Sequence, residues 1–267
     1  MKNLMLYIVD DERIPSKDAP VRRMLDLQVA NSLALGWSRD DILLYTNFPY
    51  RHDDVDAIEV APPPRPRTAR ATSFYKTFCI LHALERMPHD ELIWYHDTDA
   101  FQLIPFEAPT DSRVLGFCLY STRQRLLVQG GSMFFSRAVR PIFEQVWNRL
   151  VHDACRKDEF ALTDAAGDPE LMDRFRVIDY SYNLGTTDFA LRYQLAEKPI
   201  KVVHFHPERA EHRAVFVDGA NSLDLHPLDE RFLSLLIEHG FTEAREEKRG
   251  WLPRVFGGGA AKAASGS

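Results

Sequence analysis

The sequence predicts an α/β fold with a mostly parallel central sheet and helices on both faces, and three observations carry that reading. Apolar runs without alternation recur at Leu4 to Val9, in "DILLYT" (41–46) and in "ELIWYH" (91–96), as in strands covered on both sides. Segments with apolar residues near helical spacing lie between them, so strand, helix and strand follow in the order that right-handed parallel crossovers require. The chain of 267 residues is 45% hydrophobic, which allows a sizeable core, and residues 1–256 are read as one domain.

Taken in order, the first strand closes abruptly at Asp10-Asp11-Glu12. Val21 to Leu35 carries Met24, Leu25, Leu27, Val29 and Leu33 and stops at Gly36, which defines a helix. "APPPRPRTARAT" (61–72) is proline-rich and basic and is read as a loop. Phe74 to Arg86 is a helix with Phe74, Phe78 and Leu81 on one side, ended by Met87-Pro88. "RVLGFCLY" (113–120) and "GSMFFS" (131–136) are further strands, Val139 to Asp153 a helix, and "IKVVHF" (200–205) the last strand. The polar stretch Asp158 to Asp173 is expected to be a surface excursion. "REEKRGWLPRVF" (245–256) reads as a packed end with solvated charges, and the final "GGGAAKAASGS" (257–267) as a flexible tail.

Composition narrows the function. A net charge of −6 gives no chain-wide basic field for phosphate backbones or acidic lipid. The three cysteines, Cys79, Cys118 and Cys155, are far apart and form no paired motif, which predicts a reducing, cytoplasmic setting. No apolar run approaches the ~20 residues of a transmembrane helix. The sequence assigns no oligomeric state.

The chemistry concentrates at "HDTDAF" (96–101), where Asp97 and Asp99 follow an apolar strand. In open α/β sheets, ligands bind at the carboxyl ends of strands. Two residues apart in extended chain, both carboxylates face one side; left alone they repel, and a divalent cation removes that penalty. Oxygen ligands of this kind suit Mg²⁺ or Mn²⁺. The plainer reading is a turn cap at Asp97 with a solvated Asp99. "IKVVHFHP" (200–207) tips the balance, because His204 and His206 share a face at the end of another strand and imidazole nitrogen is a ready ligand for Mn²⁺.

In order and spacing these motifs resemble the nucleotide-sugar glycosyltransferases of the GT-A fold, Rossmann-like, in particular family 8 around glycogenin and the lipopolysaccharide sugar transferases. The matching stretches are "FYKTF" with Lys76, "LIWYHDTDAFQL" with Asp97 and Asp99, "VQGGSMFF" (128–135), "VIDYSYNLG" with Asp179 and Asn183, and "KVVHFHP". The resemblance implies a metal held by Asp97, Asp99 and His204, with His206 as the alternative. It implies a nucleotide, a uridine diphosphate sugar, along Ile8, Val9, Asp10, Lys76, Asp97, Thr98, Gly130, Gly131 and Asn183. It also implies retention at the sugar. Gln129 and Asp179 are expected partners of sugar hydroxyls; Asp179 and Asp188 are the base candidates should the reaction invert. Lys76, Arg67 and Arg70 are the cations that can offset charge on the leaving diphosphate. The family's Lys-Pro-Trp ending is absent, and Arg209 and Arg213 are the candidates to replace its lysine. The acceptor is an unspecified hydroxyl on a glycan, lipid-linked saccharide, protein or modified nucleobase.

Two other classes share such a sheet. A sugar-phosphate nucleotidyltransferase usually follows its first strand with a glycine-rich loop, whereas "DDERIPSKDAP" (10–20) contains no glycine. A non-catalytic nucleotide-binding module keeps the fold without turnover.

Overall fold

The computed structural model describes residues 1–10, 15–16, 19–121, 126–223 and 225–243. Its elements in chain order are β1 (Lys2–Tyr7), α1 (Pro20–Ala34), β2 (Ile42–Thr46), β3 (Arg51–His52), β4 (Val55–Asp56), β5 (Ile58–Glu59), α2 (Ala71–Arg86), β6 (Ile93–His96), β7 (Ala100–Gln102), β8 (Leu115–Ser121) and β9 (Leu126–Phe135). There follow α3 (Arg140–His152), α4 (Asp158–Ala166), β10 (Phe175–Val177), β11 (Leu184–Gly185), α5 (Phe189–Leu195), β12 (Val202–His204), α6 (Ala210–Phe216) and α7 (Glu230–Glu238). Most of the loop "DDERIP", the stretch 245–256 and the tail 257–267 lie outside the described residues.

Seven strands form the main sheet in the order β10-β8-β9-β6-β1-β2-β5. β1 runs parallel to β2 and β6, β2 to β5 and β10 to β8, while β9 runs against both its neighbours. The non-alternating strands are covered on both faces, as their composition requires. Leu4, Leu43, Tyr45, Ile93 and Tyr95 face α2, α3 and α4, whereas Met5, Ile42 and Leu44 face α1. A small sheet, β11-β12-β7, carries the return of the chain, with β12 antiparallel to β7. No helix among the described residues is long and apolar enough to cross a membrane.

Two departures from the sequence reading have plain causes. The helix expected from Phe74 begins at Ala71, because the proline run ends at Pro66 and Arg70 is free to start the turn. The stretch expected to be a surface excursion contains α4, whose Ala161, Leu162 and Ala165 are fully buried against α2, α3 and β9. Its first residue, Asp158, is buried too, and a buried carboxylate disguises a core helix as a polar segment.

Leu162→Ala should therefore lower the unfolding free energy by about 2–4 kcal/mol in chemical denaturation. A loss within about 0.5 kcal/mol is what a surface position would give.

Candidate active site

Three backbone hydrogen bonds fix the turn that follows β6. Asp97 N–H donates to the Gly131 carbonyl at 2.9 Å, Ala100 N–H to the Asp97 carbonyl at 2.9 Å, and Phe205 N–H to the Asp99 carbonyl at 2.9 Å. The turn is thus clamped between β9 and the end of β12, at the carboxyl ends of β6 and β12. Below it, the ring of His96 stacks on Trp94 at 4.2 Å and bridges Asn3 and the Asp97 carbonyl, and burial pushes its pKa down to about 4, so it stays neutral.

On this turn the carboxylates converge with an imidazole: one ligand atom each from Asp97, Asp99 and His204 lie within 4.8 Å of one another. Asp99 faces both histidines, 3.2 Å from His204 Nε2 and 3.0 Å from His206 Nε2. Burial opposes the charge on Asp99, but the two imidazoles outweigh it and hold the carboxyl well below the usual range. His204 Nδ1 meets Asn183 Oδ1 at 3.1 Å, and Asn183 is fully buried. An amide oxygen can only accept, so Nδ1 carries the proton and Nε2 is the atom turned to the carboxylates. Burial works against a charged His204 ring, yet Asp99 raises its pKa above the ordinary imidazole value.

Gly131 makes this arrangement possible. A Cβ there would stand 2.2 Å from His204 Cε1 and 3.2 Å from Asp97 Oδ2, so no other residue leaves room for the ring. At Gly130 a Cβ would stand 2.9 Å from Asp158 and 3.4 Å from the Lys76 ammonium. Both glycines thus give space to side chains of the site itself.

The donor set, two carboxylate oxygens and one imidazole nitrogen on a rigid turn, fits a divalent ion such as Mn²⁺ or Mg²⁺. A cleft of about 270 Å³ opens over it, lined by Asp97, Asp99, Gln129, Gly131, Glu159, Arg192, His204, His206 and Arg209, among others.

The other residues singled out by sequence divide sharply. Gln129 and Arg209 line the cleft with Asp97, Asp99 and His204, whereas Arg213 donates to the Pro207 carbonyl and lines a separate groove. Lys76 is nearly buried, and its ammonium lies 3.1 Å from Asp97, 3.1 Å from Asp158 and 3.1 Å from the Gly130 carbonyl. With these partners it positions Asp97 from behind. Arg67 and Arg70 line a distinct basic cleft with Arg65, Arg156 and Lys157. Ile8, Val9 and Asp10 follow β1; Val9 exchanges both backbone groups with Asn47, and Asp10 takes hydrogen bonds from Arg65 and Tyr75. Thr98 gives its carbonyl to Gln28.

Asp179 is not brought to the cleft. Its Oδ1 accepts from Ser181 N–H at 2.7 Å and Glu197 N–H at 3.0 Å, and the side chain caps a short turn outside the cleft lining. Asp188 opens α5 in a left-handed conformation and does not line the cleft either. Among the described residues, the carboxylate that lines it besides Asp97 and Asp99 is Glu159, whose pKa is raised by burial and then by neighbouring Asp158. Sequence reasoning missed Asp158, Glu159 and Arg192. An acidic pair opening "DEFALTDAA" is the signal of a helix N-terminus, and it was available.

No family model matches the chain, and none of the curated proteins does. Solved structures supply the likeness: the fold is that of the GT-A glycosyltransferases. The galactosyltransferase LgtC, solved with donor and acceptor sugar analogues, aligns with a TM-score of 0.55 at 14% identity over 92% of this chain and 98% of its own. An active-site variant of LgtC aligns at 0.56 and 14% identity, covering 89% and 96%. A glycosyltransferase involved in glycosylation of the major capsid of PBCV-1 aligns at 0.52 and 15% identity, covering 77% and 93%.

Asp158→Ala leaves the buried Lys76 ammonium without one of its two counter-charges and should cost about 3–5 kcal/mol in denaturant unfolding. Combining it with Lys76→Met should recover most of that loss. Equal losses in single and double variants would show that the pair does not act as a unit.

Proposed function

We propose that the protein is a metal-dependent glycosyltransferase that moves a sugar from a nucleoside diphosphate, uridine diphosphate by the resemblance, to a hydroxyl acceptor with retention. The observation that carries this is the convergence of Asp97, Asp99 and His204 in the cleft at the carboxyl edge of a GT-A sheet.

The barrier to such a transfer is mainly the charge that develops on the departing diphosphate. Bound by Asp97, Asp99 and His204, Mn²⁺ or Mg²⁺ would supply Lewis-acid charge for it. Asn183 fixes the ring of His204, and Lys76 with Asp158 fixes Asp97, so the ligands need little rearrangement. Arg209 adds a cation on the cleft wall. Gln129 is the partner for a sugar hydroxyl. Glu159 replaces Asp179 as the acidic group facing the sugar, where a carboxylate offsets positive charge building on the ring as its bond to phosphate weakens. The acceptor remains a hydroxyl compound of undefined class, and the domain is proposed to extend over residues 1–256.

A panel of nucleotide sugars with Mn²⁺, read by release of nucleoside diphosphate, tests the reading. One donor should be hydrolysed slowly, and Asp99→Ala should abolish that release while the circular dichroism spectrum stays unchanged. Release of pyrophosphate from a nucleoside triphosphate and a sugar phosphate instead would identify a nucleotidyltransferase.

Metal affinity should also depend on pH in a defined direction. Because Asp99 raises the pKa of His204 in the ion-free protein, the ion must displace a proton. Calorimetric Mn²⁺ titrations should show affinity falling as pH drops through the raised pKa of His204, above the ordinary imidazole value, with protons released on binding below it. His204→Ala should weaken binding more than His206→Ala and remove the proton release. The reverse ranking would make His206 the ligand.

A further inference from the structure

Arg192 is a buried cation on the wall of the cleft. It lies on α5, is 3% exposed, and pairs with no carboxylate among the described residues. Its Nη1 donates to Gln129 Oε1 at 3.4 Å, a long contact, and its Nη2 is buried with no hydrogen-bond partner among the described residues. The guanidinium carbon lies 5.5 Å from the centre of the Tyr180 ring. A buried guanidinium left in this state is costly to the fold, and an apolar residue would serve packing better.

Its place explains the cost. Arg192 lines the same cleft as the metal group, beside Gln129, Thr186 and Thr187. The carboxylates lining that cleft are otherwise engaged: Asp97 with Lys76, Asp99 with His204 and His206, and Glu159 with Lys157 at 3.9 Å. Gln129 and Gly131 line that cleft on either side of Gly130, where the pairing of β9 with β8 shifts register between Phe117 and Cys118. Gly131 abuts His204 and Asp97, whereas Gln129 meets Gly185 and Arg192, so the Gln129–Arg192 pair lines the cleft beside the three candidate ligands and not among them. On the sugar-transfer reading, a diphosphate held at Asp97, Asp99 and His204 would leave the neighbouring part of the cleft, where Arg192 and Gln129 stand, to the sugar.

We propose that Arg192 recognises a carboxylate carried by a sugar in the cleft, so that the substrate class is an acidic sugar such as a hexuronate. This deepens the sugar-transfer reading and rests on it. A single guanidinium matches the single charge of a carboxylate, and its planar fork offers parallel donors to the two oxygens. The carboxylate comes from the donor sugar or from an acidic acceptor.

Calorimetry with Mn²⁺ separates the sources. UDP-glucuronate and UDP-galacturonate are titrated against UDP-glucose and UDP-galactose, and free glucuronate against glucose, the free sugars with and without UDP. In one arm the acid should bind at least about tenfold more tightly than its neutral counterpart, and Arg192→Gln should erase the difference, with Arg192→Lys between. UDP alone should bind wild type and variant alike. Preference among the nucleotide sugars assigns the carboxylate to the donor, and preference among the free sugars assigns it to the acceptor. The melting temperature of ligand-free Arg192→Gln should be unchanged or higher, because a buried unpaired charge is removed. Absence of any acid preference, a preference that survives in Arg192→Gln, or a lower melting temperature overturns the proposal. Failure of UDP to bind with Mn²⁺ would instead remove the sugar-transfer reading, and the free-sugar arm still decides Arg192.

Discussion

The missing side chain at Gly131 is the constraint on which the site depends. The His204 ring occupies the space where a Cβ would stand, 2.2 Å from Cε1, and Asp97 hangs by its amide from the Gly131 carbonyl. One residue of β9 therefore sets the position of two of the three groups in the Asp97–Asp99–His204 cluster. Asp99 follows, because its carbonyl is tied to Phe205 next to His204. The convergence is thus built by backbone hydrogen bonds between three strands and their ends, which are rigid, and the side chains have little left to search.

Behind the turn lies an electrostatic stack that a hydrophobic core would not be expected to contain. Lys76 bridges Asp97 to Asp158, and Ser73 donates to the second oxygen of Asp158 at 2.6 Å. Such a buried network adds little net stability over apolar residues of the same shape, and what it supplies here is a fixed position for Asp97. It links α2, α4 and β9 to the carboxylate in the cleft. Glu159, next in sequence to Asp158, is thereby placed on the cleft wall while its neighbour faces inward.

Much of this was legible in the sequence, for a physical reason. Strands covered on both faces must be apolar throughout, so Leu4 to Val9 and "ELIWYH" announced the sheet, and the strand-end carboxylates Asp97 and Asp99 marked the place where His204 meets them. The ends were less exact: Ile8 and Val9 lie beyond β1, because the side chain of Asn47 satisfies Val9 in place of a sheet partner. What the sequence hid depends on contacts distant along the chain. α4 looked like a polar excursion because its buried Asp158 is neutralised by a lysine about eighty residues earlier. Asp179 reads as a sugar partner beside Asn183, yet the amides of Ser181 and Glu197 both hold its Oδ1 and it does not line the cleft. Nothing in "FALRYQL" reveals that its arginine is buried without a partner.

The central claim is that two aspartates and one histidine hold a single ion. A crystal of the protein grown with Mn²⁺ and UDP, with anomalous diffraction collected above the manganese edge, tests it most directly. The account predicts one strong anomalous peak bonded to oxygens of Asp97 and Asp99 and to Nε2 of His204. No peak in the cleft, or one held by other side chains with these three dispersed, would contradict it.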